Sequence, residues 1–173
     1  MNGTRTKNLY DYFEQAAKKR DIWKRRNRFY RKTTERQFQF IIPKVAIVME
    51  LGCSTGDLLN AVKPSKGIGV DFSENALWIA KEKYPHLEFV HADVLEFQWE
   101  EPIEYVIISD LISSLWDVQT FFHRYPIYKS INPEGTSTSI VLFSLSTCLI
   151  KLSTMGISIS PLGFCICIIA WRL

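Results

Sequence analysis

Residues 45–56 read VAIVMELGCSTG, an apolar run that ends in a glycine-bounded turn. The run contains one charged residue, Glu50, and otherwise has the composition of a buried strand. Gly52 and Gly56 frame the turn, and glycine allows a backbone to approach a ligand closely. A short helix is predicted over residues 57–62, and its first N–H groups are available to a ligand at the turn. These residues predict a strand, a binding loop and a helix in succession.

Further strands are predicted downstream, where apolar runs alternate with helical segments. They cover residues 67–72, 87–92, 105–109 and 139–145. Helices are predicted between them, and Ser73 is placed to cap the helix that follows the second strand. Strands that alternate with helices predict an α/β fold, in which a mostly parallel sheet carries helices on both faces.

Acidic residues end three of the predicted strands, namely Asp71, Asp93 and Asp110. The carboxyl ends of parallel strands meet at one edge of a sheet, where open α/β folds bind their ligands. Asp71 follows the glycine turn at the distance at which dinucleotide-binding sheets place a ribose-binding acid. The sequence therefore predicts a ligand site at this edge, with Asp71 facing a ribose.

Four motifs resemble those of class I S-adenosylmethionine-dependent methyltransferases, in the order and at the spacing of that family. They are Glu50–Gly56, Gly69–Ser73, His91–Asp93 and Val106–Asp110, within about residues 40–125. The sequence looks most like the small-molecule branch, which includes quinone-biosynthesis enzymes. The resemblance implies a Rossmann-like, doubly wound sheet and methyl transfer from S-adenosylmethionine to a small-molecule acceptor.

The resemblance also implies roles for single residues. The cofactor-binding positions are Glu50, Gly52, Cys53, Ser54, Gly56, Asp71, Phe72, Asp93, Val94 and Ser109. Of these, the glycine turn would hold the methionine end of the cofactor, Asp71 the ribose, and Asp93 with Val94 the adenine. Asp110 and His123 are the candidate catalytic residues, because a protonated acceptor needs a general base.

Two departures from the family pattern bear on activity. The family usually has glycine where this chain has Ser54, and a side chain there would crowd the cofactor. The family's sheet also ends in two antiparallel strands, whereas residues 136–173 offer no clear helix and hairpin to supply them. The C-terminal strands are therefore expected to be missing or altered. The alternative function is an inactive or truncated cofactor-binding remnant.

The composition is that of a folded globular protein, with 173 residues, 47% hydrophobic and 23% charged. The net charge of +3 combines +9 over residues 1–44 with −6 over residues 45–173. The first segment is predicted to be a basic helical lid, with a helix over residues 7–40. The candidate lid and substrate residues are Tyr10, Tyr12, Phe13 and Trp116. A membrane surface, or less favourably a nucleic acid, is the alternative partner of the basic segment.

Two further segments follow the lid, a cofactor-binding core over residues 45–135 and an atypical apolar tail over residues 136–173. Residues 152–171 carry no charge and are long enough to span a bilayer, although they include Pro161. The four cysteines form no CxxC pair, which argues against a metal site or a disulfide framework. The first 40 residues are polar and basic rather than a secretory signal, so a cytoplasmic location is expected.

A hydrolase is a further alternative, because residues 52–56 fit the G-x-S-x-G pattern of a nucleophile elbow. Ser54, Asp110 and His123 follow the chain order of that triad. However, only one predicted strand precedes the turn, where the hydrolase fold needs several, and no oxyanion-hole motif is present.

Overall fold

The computed structural model describes residues 11, 12, 14, 15, 26–112, 114, 115, 117–124, 139–143 and 166–169. Its helices are α1 Arg28–Ile41, α2 Asp57–Val62, α3 Glu74–Lys83 and α4 Val118–Arg124. Its strands are β1 Ile47–Leu51, β2 Lys66–Asp71, β3 Glu88–His91, β4 Tyr105–Ser109, β5 Ser139–Phe143 and β6 Ile166–Ile169. These elements follow the predicted alternation of strands and helices.

The strands form one sheet in the order β3-β2-β1-β4-β5-β6. The first five strands are parallel, and β6 pairs antiparallel with β5. The predicted mostly parallel sheet is thus confirmed. Within the described residues, the tail supplies one antiparallel strand, β6, where the resembled family has two.

Side chains of β1 alternate between two hydrophobic clusters, one on each face of the sheet. Met49 and Leu51 pack in a cluster that includes Phe121 of α4. Val48 packs in the other cluster, with residues of α1, α2 and α3 that include Phe38. Because helices bury their apolar stripes against both faces, the sheet is doubly wound.

Two helix boundaries follow from local chemistry. The Ser73 hydroxyl accepts a hydrogen bond from the Ala76 N–H at 3.2 Å, so the predicted cap of α3 is confirmed. α1 ends at Ile41, two residues before Pro43, which cannot continue a helix. The helix predicted over residues 7–40 corresponds to α1 and to helical residues 11, 12, 14 and 15.

Across the described residues, no helix has the length and hydropathy needed to cross a bilayer. The strand β6 lies inside the uncharged segment 152–171. Apart from β6, residues 152–171 lie outside the described residues, so membrane contact through this segment stays a prediction.

Candidate functional site

The loop between β1 and α2 turns through three residues with left-handed backbone. These are Gly52, Ser54 and Gly56, with φ of 74°, 50° and 71°. A Cβ atom at Gly56 would lie 2.8 Å from the ring of Phe89, so only glycine fits there. The predicted turn is thus tightly packed against Phe89. Other residues of the turn border two clefts, which are described next.

Residues at the carboxyl ends of β1, β2 and β4 line these clefts. The α3 cleft, beside the start of α3, is lined by Gly52, Ser54, Asp71, Phe72, Ser73, Ala76, Ser109, Asp110, Leu111 and Ser114. The α1 cleft, beneath α1, is lined by Tyr30, Arg31, Thr34, Glu35, Glu50, Gly52, Cys53, Ser54, Thr55, Asp57, Leu58, Ser109 and Asp110. Four residues line both clefts, so the clefts meet at a shared rim.

Asp71 lies at the end of β2 and is only 7% exposed. One of its carboxylate oxygens accepts a hydrogen bond from the Ser54 N–H at 2.7 Å, and the other accepts from the Ser73 N–H at 2.9 Å. These bonds fix the carboxylate between the β1–α2 loop and the start of α3. A carboxylate has about four lone-pair sites, so these two bonds alone do not exhaust the acceptor capacity of Asp71.

Glu50 is 3% exposed and has a structural partner that the sequence did not indicate. Its carboxylate accepts a hydrogen bond from the Leu59 N–H in the first turn of α2, at 3.0 Å. The cap residue of that helix is Gly56, whose side chain cannot supply this bond. Glu50 therefore caps α2 from β1 and also lines the α1 cleft.

Asp110 follows β4 and connects the sheet to α1. Its carboxylate accepts a hydrogen bond from the Tyr30 hydroxyl at 2.7 Å, and its backbone is left-handed, with φ of 56°. Burial raises the pKa of the Tyr30 hydroxyl, and its bond to Asp110 raises it further. Tyr30 therefore stays a hydrogen-bond donor near neutral pH, and it holds an exposed carboxylate at the shared rim.

Cys53, a residue of the β1–α2 loop, is buried. Burial raises the pKa of its thiol well above the ordinary value, and the negative charges of Asp71 and Glu50 raise it further. A thiol in this environment stays protonated and is a poor nucleophile.

Five of the predicted site residues that the structure describes line neither cleft, namely Tyr12, Gly56, Asp93, Val94 and His123. His123 is exposed on α4, and Asp93 is exposed after β3, where its carboxylate accepts the Leu95 N–H at 2.8 Å. Val94 is buried in the cluster around Met49. The roles of His123 in catalysis and of Asp93 and Val94 at the adenine stay predictions.

The described part of the predicted lid contacts the start of α3. The Glu14 carboxylate accepts a hydrogen bond from the Asn75 N–H at 3.3 Å and a second from the Asn75 side-chain amide. Tyr12 is 65% exposed. The other predicted lid and substrate residues, Tyr10, Phe13 and Trp116, lie outside the described residues.

Sequence reasoning predicted a helical lid over residues 1–44, but it missed which residues of α1 line the site. Tyr30 and Thr34 line the α1 cleft one helical turn apart, and Phe38, a further turn on, is fully buried. This spacing of four residues was the available signal, because it marks one face of a helix. Arg31, Leu111 and Ser114 also line the clefts without having been predicted.

The geometry does not assemble the hydrolase triad. Ser54 has the left-handed backbone of a sharp turn, and Asp110 lies at the same rim. However, no hydrogen bond among the described side chains joins Ser54 to His123, and His123 lines neither cleft. A serine nucleophile without a base within hydrogen-bond reach is not activated.

Comparison with known proteins gives three findings that agree with this geometry. A family model described as a methyltransferase domain matches residues 48–135, from β1 to beyond α4. Demethylmenaquinone methyltransferase of Oceanobacillus iheyensis is 32% identical over 121 residues, which cover 64% of this chain and 49% of the relative. Carboxy-S-adenosyl-L-methionine synthase of Wolinella succinogenes is 29% identical over 107 residues, which cover 56% and 42% of the two chains.

The chain spans about half the length of the curated relatives it matches. Among solved structures, the N-methyltransferase NodS of Bradyrhizobium japonicum, in complex with S-adenosyl-L-homocysteine, has a TM-score of 0.66 at 18% identity. The superposition covers 85% of this chain and 78% of that chain. At this identity the likeness shows the shared fold, a Rossmann-like sheet with flanking helices.

Proposed function

Because the chain belongs to the methyltransferase domain family, we propose that it transfers a methyl group from S-adenosylmethionine to a small-molecule acceptor. The observation that carries this proposal is the position of Asp71. Its buried carboxylate ends β2 at the α3 cleft, beside the left-handed Gly52 turn. A fixed carboxylate next to a loop that permits close backbone approach suits the ribose of a nucleoside.

The two clefts match the two halves of such a cofactor. The α3 cleft contains Asp71 and would hold the adenosine half, whereas the α1 cleft contains Glu50 and would hold the methionine half. The loop between Gly52 and Gly56 borders both clefts, so it would lie along the sulfur. The chemistry supplied by the bound cofactor is a methyl group on a positively charged sulfur, already activated for transfer.

The chain's own residues would position the acceptor and receive its proton. Asp110 lies at the rim where the clefts meet, and its exposed carboxylate is suited to accept a proton from a hydroxyl or an amine. Tyr30 would hold this carboxylate in place through its hydrogen bond. α1 would also exclude water from the reacting atoms, since it covers the α1 cleft.

The domain division forms part of the proposal. Residues 1–44 would act as a lid over the core of residues 45–135, with residues 136–173 as a tail. The contact between Glu14 and Asn75 supports the lid, because it joins the N-terminal segment to the edge of the α3 cleft.

The remaining partner and location inferences stay predictions. Membrane contact through the basic segment would involve the outer face of α1, where Phe29 and Phe40 are 86% and 92% exposed near Lys32 and Arg36. The comparisons add no support for a membrane or a nucleic acid as partner, and the cytoplasmic location stays an expectation from the sequence.

The first test is calorimetric titration with S-adenosylhomocysteine. Wild type is expected to bind with micromolar affinity, and Asp71→Asn to bind about 10- to 100-fold more weakly, because a charge-assisted hydrogen bond is lost. Glu88→Gln, at an exposed position of β3, is the matched control and should bind as wild type. Failure of the folded wild-type protein to bind would overturn the proposal.

Turnover separates the active enzyme from the inactive remnant. Demethylmenaquinone, named by a curated relative, is the first acceptor to test, followed by amines and phenols. Release of S-adenosylhomocysteine would support the enzyme. Tight cofactor binding without turnover on any of these acceptors would favour the remnant.

A further inference from the structure

Arg31 brings a positive charge into the α1 cleft. It lies in the first turn of α1 beside Tyr30, and 38% of its side chain is exposed. The same cleft is lined by four carboxylates, on Glu35, Glu50, Asp57 and Asp110. Other cations of α1, such as Lys32 and Arg36, are exposed and line neither cleft.

The Nε atom of Arg31 is buried, and no described residue accepts a hydrogen bond from it. Arg31 forms an ion pair with Glu35 on the same helix, in which the Nε atom lies 3.5 Å from the Glu35 Oε1 atom. The geometry of this pair does not form a hydrogen bond. An unsatisfied buried donor destabilises the free protein. The ion pair with Glu35 does not offset this loss, because an ion pair within one helix contributes less to stability than an unsatisfied buried donor costs.

Three of the four carboxylates of the α1 cleft, in contrast, already accept hydrogen bonds from protein groups. Glu50 accepts from the Leu59 N–H, and Asp110 accepts from Tyr30. Asp57 accepts from the hydroxyls of Thr55 and Tyr84. None of these bonds comes from Arg31, so a bound anion would supply the acceptor that its Nε atom lacks.

The surrounding charges restrict which anion fits. A phosphate dianion would be repelled by four nearby carboxylates. A zwitterion with a carboxylate and an ammonium group matches the cleft better, because its own positive charge faces the acids while its negative charge meets Arg31. The amino-acid end of a nucleoside thioether is such a zwitterion.

We propose that Arg31 binds the α-carboxylate of the methionine portion of the cofactor, and that it thereby sets the specificity of the α1 cleft for an amino-acid tail. This inference rests on the proposed function. It assigns to α1, which lies outside the matched family segment, a direct contact with the cofactor.

Three ligands that share the nucleoside test this assignment by calorimetry. S-adenosylhomocysteine carries the full tail, its decarboxylated analogue keeps the amine alone, and 5′-methylthioadenosine lacks both groups. Wild type, Arg31→Gln, Arg31→Lys and the control Arg36→Gln are each titrated with all three. The control lies on the outer face of the same helix.

Arg31→Gln is expected to weaken binding of S-adenosylhomocysteine about 10- to 100-fold, because one charge-assisted hydrogen bond is lost. It should leave the other two ligands within about twofold of wild type, and Arg31→Lys should recover part of the loss. Retained binding of 5′-methylthioadenosine shows in the same experiment that the variant is folded.

Two results would overturn the inference. Equal weakening of all three ligands by Arg31→Gln would mean a general structural role, and unchanged affinity for S-adenosylhomocysteine would mean no contact. If wild type binds none of the three ligands, the proposed function fails and the inference fails with it. If wild type binds these ligands and Arg31→Gln leaves every affinity unchanged, the inference is wrong but the proposed function stands.

Discussion

Two residues at the shared rim of the clefts, Ser54 and Asp110, keep a left-handed backbone although they carry side chains. This conformation costs an L-residue about 1–2 kcal/mol, and it persists only where neighbouring contacts impose it. The Ser54 N–H is held by Asp71, and the Asp110 carboxylate is held by Tyr30. Of the four such residues in the described part of the chain, these two lie where the proposed ligand halves meet.

Relief of this strain at Ser54 is a testable consequence. Ser54→Gly is expected to raise the free energy of unfolding by about 0.5–1 kcal/mol, because glycine adopts positive φ without a steric cost. Lys63→Gly is the matched control, since Lys63 also has a positive φ of 54° but is exposed at the end of α2. Urea denaturation should show both gains, and S-adenosylhomocysteine affinity should change only for Ser54→Gly. A loss of stability in Ser54→Gly alone would mean that the serine side chain makes a stabilising contact.

The hydrogen bond from Tyr30 predicts a dependence on alkaline pH. Folding raises the pKa of the Tyr30 hydroxyl above its ordinary value of 10.0, chiefly through burial. The stabilisation is therefore fully present below pH 10 and is lost as the pH rises above it, because the unfolded chain deprotonates first. Tyr30→Phe should lower the free energy of unfolding by about 1 kcal/mol at pH 8.

The difference between wild type and Tyr30→Phe should then shrink above pH 10 in denaturant titrations. Tyr105→Phe provides the control, because Tyr105 is a half-buried tyrosine of β4 and lines neither cleft. A difference that stays constant across this pH range would contradict the assigned bond.

The sequence could predict the positions of some site residues in the fold but not of others. Asp71 and Ser73 were predictable because a strand end and a helix start fix them locally. Tyr30 was not, because its partner Asp110 lies 80 residues away and no local pattern records that distance. His123 was selected for its chemistry, but the structure places it on an exposed helix outside both clefts.

At the scale of elements, a side chain of β1 caps the helix α2 that follows it. α2 has only six residues, and its cap residue Gly56 offers no side-chain oxygen. The Glu50 carboxylate supplies the missing acceptor from the neighbouring strand. A negative charge at a helix start is also favoured by the helix dipole.

This arrangement predicts a stability cost for Glu50→Gln. The substitution keeps the size of the side chain but removes its charge, so the free energy of unfolding should fall by about 1–2 kcal/mol. Glu82→Gln, at an exposed position near the end of α3, should change it by less than about 0.5 kcal/mol. Chemical denaturation measures both variants. An effect on cofactor affinity without an effect on stability would mean that Glu50 acts only as a ligand.

The elements of the core were predictable because each strand is a compact apolar run. The predicted bounds of β4 and α2 match the structure, and those of β2 are shifted by one residue at each end. The strand β6 was not predicted, since residues 166–169 lie in a long apolar tail and show no alternation of apolar and polar residues to mark them. The pairing partner in β5 defines this strand, and sequence alone does not reveal that partner.

At the scale of the whole molecule, the site lies where the sheet reverses its order. β1 pairs with β2 on one side and with β4 on the other. The connection after β1 therefore runs to one side of this strand and the connection after β3 returns to its other side, and a crevice opens at the point of divergence. Both clefts border the carboxyl end of β1, as this rule requires.

Ligand binding at this central position should stabilise the folded chain. At a free ligand concentration 100 times the Kd, the gain is about 2.7 kcal/mol, which corresponds to a rise in Tm of roughly 5–10 °C for a chain of this size. Differential scanning fluorimetry with S-adenosylhomocysteine tests this. The Asp71→Asn variant at the same concentration should show a clearly smaller rise, and equal rises would indicate binding elsewhere.

The central position of β1 also determines the order in which the molecule opens. In the described sheet, β3 and β6 each have one neighbour, whereas β1 is hydrogen-bonded along both sides. Fraying that starts at β3 must release β2 before it reaches β1. Fraying that starts at β6 must release β5 and β4 first. The amide protons of residues 48–51 should therefore be among the slowest to exchange with solvent. The binding loop thus extends from the part of the chain that opens last, so fraying that starts at β6 would leave the loop and its partners Asp71 and Phe89 in place.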